Sequence, residues 1–244
     1  MTSDKKEAEE KKSVDPASLE MLDLADSEDL DSAWDRYEDM QPQCRFGEEG
    51  LCCRVCNMGP CRIIPEKSET GVCGATAATI AARNLVRMIA AGAAAHSDHG
   101  RDLAQTLSSV ADERVLNYEV KDQKKLDKLA EELGVSRGNG KERREAGRVA
   151  ESLKGEFGRQ DGNLAFPERA PKKRYELWEQ NDLLPRGIDR EIVEIMHRTH
   201  MGTDTDYRNI LTQGLRCALA DGWGGSMIAT ELQDVLFGTP EPLK

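Results

Sequence analysis

The chain has 244 residues, enough for one or two domains with a substantial core. Its formal net charge of -11 argues against a nucleic-acid partner. Residues 1–40 alone hold 14 Asp and Glu against 5 Lys and Arg, so the acidity belongs mostly to the N-terminal arm.

The opening MTSDKKEAEEKK lacks the apolar core of a secretory signal. The longest apolar run, the Ala-rich stretch around residues 89–95, is too short for a membrane span. A cytoplasmic location follows as the expectation, and in that reducing compartment clustered thiols bind metal more often than they form disulfides.

Residues 1–14 have almost nothing apolar to bury and read as a disordered charged arm. N-terminal helices are predicted over 15–40, opened by Asp15-Pro16, with Leu19, Leu22, Leu24 and Leu30 as candidate buried positions and Trp34 in a second short helix. Residues 41–74 are rich in Cys, Gly and Pro and lack a sustained period, as expected of a loop folded around something other than its own side chains. A helical domain follows over 75–244.

Its strongest helix is predicted over 74–99. There Ile80, Asn84, Met88, Gly92, His96 and His99 share one face, Ala gives high propensity, and Gly100 is the expected stop. A second amphipathic segment over 102–113 and a charged helix over 121–133, ended by Gly134, come next. The run SRGNGKERRE reads as a turn and then a basic helix. Pro167, Pro171 and Pro185 mark an irregular connection with a short helix around 175–180. Asp189 is the expected N-cap of a helix through Ile192, Ile195 and Met196, and another helix is predicted over 207–220. Residues 222–225 (GWGG) read as a turn before a last helix over 227–237, which Gly238 and Pro240 stop. Period-two patterns are nearly absent, so the fold class expected is all-α.

The cysteines are the chemical centre of the sequence. PQCRFGEEGLCCRVCNMGPCRIIPEKSETGVCG has the pattern C-x7-C-C-x2-C-x4-C-x11-C. Thiolates suit zinc and iron–sulfur clusters alike. Zinc sites commonly use paired C-x2-C knuckles, and only one such pair is present; the short steps resemble cluster-binding runs. Cys53, Cys56, Cys61 and Cys73 make one four-thiolate set. Cys44 and Cys52 are left over, and two chains about a two-fold axis would combine them into four, which makes a homodimer with a shared cluster the economical reading. The alternative is a zinc module, or disulfides in an exported protein. Cys217, beside Leu215 and Leu219 on a helix, reads as a buried core residue.

The segments CRFGEEGLCCRVCNMGPCRI, GVCGATAATIAARNLVRMIAAGAAAHSDHGR and LADGWGGSMIATELQDVLFGTPEP resemble the catalytic subunit of anaerobic nickel-iron carbon monoxide dehydrogenase, over about residue 15 to the C-terminus. The resemblance implies that Cys53, Cys56, Cys61 and Cys73 ligate the subunit's own [4Fe-4S] cluster and that Cys44 and Cys52 share a cluster across the dimer. It implies the reaction CO + H2O to CO2, two protons and two electrons, with a ferredoxin-like acceptor. It also assigns His96 and His99 to proton movement, with Asp102 standing where some relatives have a further histidine. His197 and His200 repeat the i, i+3 spacing and receive no site.

Family subunits continue into two α/β domains that bind a Ni-Fe-S cluster. Those domains are absent from this sequence, and beyond Cys73 it offers only Cys217. The expectation is therefore a partial chain, catalytically incomplete alone, which obtains the catalytic domains in trans if at all. The alternative is a stand-alone iron–sulfur electron-transfer and dimerisation module.

Overall fold

The computed structural model describes residues 12–115, 117–135 and 142–242. Most of the expected arm, and the turn in SRGNGKERRE, lie outside these residues. The chain forms two compact units, one ending at Glu49 and the other beginning at Gly50. Among the described residues no helix is long and apolar enough to cross a membrane.

The first unit contains three helices: α1 (Pro16–Ser27), α2 (Ala33–Asp39) and the single turn α3 (Arg45–Glu48). Asp15 caps α1 by accepting from Ser18 N at 3.0 Å, with Pro16 at the first helical position. Ser32 and Asp35 form a reciprocal capping box on α2. These helices bury no residue. The leucines expected to be buried are instead half-buried (Leu19, Leu22) or exposed (Leu24, Leu30), so local caps rather than a core define this unit.

The second unit opens with a two-stranded antiparallel ladder, β1 (Cys52–Cys53) and β2 (Cys61–Arg62). Helices α4 (Ala77–Ala111), α5 (Gln123–Glu132), α6 (Glu142–Gly158), α7 (Lys172–Gln180), α8 (Ile188–Arg198), α9 (Tyr207–Ala220) and α10 (Ser226–Phe237) follow. The described chain is all-α apart from that ladder.

Helix α4 is the spine. Thr76 caps its start, and its 35 residues extend roughly 50 Å at 1.5 Å per residue. Three apolar clusters form along it. At its start, Ala75 and Ile80 pack with Cys53 and Ile63. Further on, Ala82, Val86, Ala90 and Ala93 meet Ile195 of α8 and Ile210 and Cys217 of α9. Its last turns, with Ala104 and Leu107, join α5, α6 and α10 in the largest cluster.

Two glycine-containing segments depart from their expected conformation. Gly100 does not stop α4: it is buried inside the continuous helix, where a Cβ would lie 2.7 Å from Gly225 O. Residues 222–225 do not form a turn either. Asp221–Gly225 is a π-helical segment, so the chain runs helically from Tyr207 to Phe237. Gly225 packs on the His96–Ser97 backbone, and a Cβ at Gly224 would meet Ile188 Cγ1 at 2.7 Å. The glycines thus permit two helices to touch backbone to backbone. Gly100→Val is expected to cost about 2–3 kcal/mol through overpacking. Gly92→Ala, with nothing within 4 Å of the new methyl, gains up to about 1 kcal/mol from helix propensity. Thermal melts of the two variants check both signs.

The structure also shows which helix faces are buried and moves one N-cap. The buried face of α4 runs through Thr79, Ala82, Arg83, Val86, Ala90, Ala93 and Ser97, whereas Met88, Gly92, His96 and His99 are exposed. Gly187 is the N-cap of α8, and Asp189 lies inside the helix, accepting from Ser97 Oγ at 2.6 Å and Arg101 Nη2 at 2.5 Å. On α10, Ile228, Leu232 and Val235 are buried in the largest cluster, while Phe237 is exposed.

A buried ionic network joins α8 to its neighbours. Glu191, fully buried, accepts from Arg186 Nε (2.9 Å), Arg186 Nη2 (2.8 Å) and Gln213 Nε2 (2.7 Å). Glu194 accepts from Arg186 Nη2 (2.7 Å) and Arg198 Nε (2.8 Å), and Arg198 Nη1 reaches Asp204 Oδ2 at 3.2 Å. Burial alone would raise the Glu194 pKa, but the two guanidiniums outweigh it and hold the carboxyl down to about 2. A depressed carboxylate stabilises the fold above its ordinary value of 4.5. That contribution is expected to fade as pH falls from 4.5 toward 2. Acid melts of Glu194→Gln should therefore show a shallower pH dependence than wild type across this window.

Candidate metal centre

The β1–β2 ladder is built from the motif itself. Its register pairs Cys53 with Cys61 and Cys52 with Arg62. Successive strand residues face opposite ways, so Cys52 and Cys53 point to different sides, as their expected division between two clusters requires. Asn84 of α4 fixes this strand by donating to Gly50 O at 3.0 Å and Cys52 O at 3.1 Å.

On the Cys53 side, four thiols share one pocket. Cys53, Cys56, Cys61 and Cys73 line it with Ile80 and Arg83 from α4 and Met201 from the loop between α8 and α9. Two glycines let the backbone close round it. A Cβ at Gly59 would lie 2.9 Å from Cys53 O, and one at Gly71 would lie 3.2 Å from Cys61 Cβ. Val72 N donates to Cys61 Sγ at 3.5 Å, and Arg83 Nη1 donates to Cys73 Sγ at 3.5 Å. Burial opposes ionisation of Cys73, yet the Arg83 donation, the backbone N–H groups of Ala75 and Gly202, and the Arg83 charge together lower its thiol pKa below the ordinary value.

The donor chemistry fits an iron–sulfur cluster. Four thiols line one pocket, N–H groups already point at two of the sulfurs, and buried Arg83 Nε has no acceptor among the described residues. A buried donor in that state costs about 1–3 kcal/mol, which a sulfur acceptor in the pocket would relieve. Among the described residues no three His, Cys, Asp or Glu side chains close on a point where a single ion could sit.

The other candidates stand elsewhere. Cys44 is the exposed N-cap of α3 in the first unit, and Cys52 is half-buried in the second. His96 Nδ1 lies 2.7 Å from Asp221 Oδ1, so this nitrogen carries the hydrogen that the carboxylate accepts and Nε2 remains for other work. His99 and Asp102 are exposed on the same helix, and His197 and His200 are exposed near the end of α8. Cys217 is fully buried, and desolvation pushes its thiol up to about 12, as for an inert core residue. Sequence reading missed Arg83, Met201 and Asp221. Arg83 had one available signal, a charge on the same helical stripe as Thr79, Val86 and Ala90.

Fold and pocket together define an all-α domain that wraps four thiols at the start of its longest helix. Comparison with known proteins narrows the class. Residues 51–244 match the Prismane/CO dehydrogenase family, and the chain belongs to it. It is 57% identical over 235 residues to carbon monoxide dehydrogenase 1 of Methanosarcina mazei, covering 96% of this chain and 37% of that protein. It superposes with TM-score 0.84 and 53% identity on a Ni-free carbon monoxide dehydrogenase from Thermococcus sp. AM4, over 92% of this chain and 36% of that one. A solved acetyl-CoA synthase/carbon monoxide dehydrogenase, described by its NiZn[Fe4S4] and NiNi[Fe4S4] clusters, gives TM-score 0.85 at 38% identity, over 95% and 35% of the two chains. The chain thus spans little more than a third of the length of the relatives it matches.

Proposed function

We propose that this chain is the N-terminal iron–sulfur, electron-transfer and dimerisation part of an anaerobic, cytoplasmic CO dehydrogenase. The observation that carries the reading is the pocket lined by Cys53, Cys56, Cys61 and Cys73 in a chain of this family. These residues hold the subunit's own [4Fe-4S] cluster, which supplies one-electron storage. Cys44 and Cys52, with the same pair from a second copy, hold a cluster on the dimer axis. Adjacent Cys52 and Cys53 face opposite sides of β1, so the two clusters lie close enough to exchange electrons. Electrons leave to a ferredoxin-like acceptor.

The Ni-Fe-S site that oxidises CO lies outside these residues. Six of the seven cysteines are committed to the two clusters, and the seventh, Cys217, is sealed in the core. His96 and His99 contribute to proton transfer once that site is assembled. Asp221 orients His96, leaving its Nε2 to exchange protons. The same thiol pocket also serves a second reading, a stand-alone electron-transfer and dimerisation module. CO-dependent viologen reduction tests both. The 244-residue chain alone is expected to show none, and activity gained on adding the missing domains in trans selects the first reading. Activity of the chain alone would contradict its catalytic incompleteness.

The division of cysteines has its own test. Cys44→Ser or Cys52→Ser is expected to remove the shared cluster, keep the internal one and weaken dimerisation. Iron content with analytical ultracentrifugation reads all three effects.

A further inference from the structure

We propose that Arg83 sets the reduction potential of the cluster held by Cys53, Cys56, Cys61 and Cys73, acting on it through Cys73 Sγ as a fixed, buried positive charge; this rests on the four-thiol reading above. Arg83 is 1% exposed, and its two hydrogen bonds go to acceptors without a carboxylate's compensating charge, Cys73 Sγ at 3.5 Å and the backbone oxygen of Asp204 at 2.8 Å. The neighbouring cations of the motif, Arg54 and Arg62, are exposed, where water screens them.

One-electron reduction adds a negative charge to an assembly already surrounded by four thiolates. A positive charge in the low-dielectric interior stabilises that reduced form more than the oxidised one. N–H donation to a ligand sulfur acts in the same direction. Arg83 therefore raises the potential, making this cluster a better resting place for the electron. The guanidinium is held for that task from two sides. Helix α4 carries it, and the loop between α8 and α9 receives it at Asp204 O, while Thr79 Oγ1 donates to Thr205 O at 2.7 Å and pins the same loop. Arg198 fastens the Asp204 side chain to the ionic network.

The test is a dithionite-driven potentiometric titration of the anaerobically prepared chain, followed by EPR, for wild type, Arg83→Gln, Arg83→Lys and Thr79→Val. Arg83→Gln is expected to keep its iron and sulfide while its midpoint shifts to more negative potential. Arg83→Lys should recover part of the shift. Thr79→Val loosens the loop without removing charge and should hold the wild-type midpoint while melting earlier. An Arg83→Gln protein with a full cluster and an unmoved midpoint would overturn the proposal, as would a Thr79→Val shift equal to that of Arg83→Gln. Should Arg83→Gln fail to load, 15N-arginine labelling of wild type decides. A 15N hyperfine coupling on the reduced cluster, lost in Arg83→Lys, supports the assignment, and its absence from wild type refutes it. Wild-type protein without any iron is a separate result, which would remove the four-thiol reading itself.

Discussion

Alanine in place of Cys61 is expected to strip the internal cluster completely while leaving most of the helical domain folded. Cys61 faces Cys53 across the β1–β2 ladder, accepts from Val72 N, and sits against Gly71. No other thiol is placed to replace it: the remaining three pocket cysteines are committed, Cys44 and Cys52 are assigned to the shared cluster, and Cys217 lies in a different cluster around Ile195 and Ile210. Losing one ligand of four leaves one iron corner of the cuboidal core open to solvent, from which the cluster is expected to degrade. The structural effect should stay local. The cluster of Cys53, Ile63, Ala75 and Ile80 is small and depends on what the thiols hold. The α4–α6–α10 core contains no cysteine ligand. Iron and sulfide should fall by the entire internal cluster, hydrogen exchange should rise over residues 51–74, and helical circular dichroism should be largely retained. Global unfolding of Cys61→Ala would show that the cluster organises the whole domain.

Glu191→Ala is expected to be the most damaging substitution outside the cysteine loop. The carboxylate is fully buried and holds the Arg186 side chain, the Arg186 backbone N–H and Gln213 at once. Burial raises its pKa, but the bonds from Arg186 and Gln213 more than compensate and keep it ionised. Its removal leaves a partly buried guanidinium without its main counter-charge, a situation that costs about 3–5 kcal/mol. For a domain of this size that is a drop in melting temperature on the order of 10 °C. Glu191→Gln keeps the volume and part of the hydrogen bonding and should lose less. The damage should also reach the metal centre, because Arg186 bridges to Glu194, Glu194 to Arg198, and Arg198 to Asp204, whose carbonyl receives Arg83. Equal melting temperatures for wild type and Glu191→Ala would mean the network is a surface decoration.

What could be read from the residues alone follows how local the governing physics is. Helix α9 occupies the span its pattern marks out, because Asp206 caps it and its apolar positions repeat with helical period. The thiol set was legible because ligand spacing is a property of a short loop. Gly100 and residues 222–225 were misread because glycine signals a stop in local propensity, whereas here it answers a tertiary need, the close approach of Gly100 to Gly225. Which face of α4 is buried was not legible for a related reason. So many of its residues are alanine that exposed and buried stripes look alike, and only packing against α8 and α9 distinguishes them. Arg83 and Met201 come from segments more than a hundred residues apart, and no short motif records their meeting at the thiol pocket.

On the proposed reading, the cysteines of this chain hold iron–sulfur clusters. Metal and acid-labile sulfide analysis of the anaerobically purified chain, with EPR after dithionite reduction, tests it most directly. The expected result is a homodimer with three clusters, one inside each subunit and one shared between them. A protein that binds one zinc per chain, with no iron and no sulfide, would contradict it.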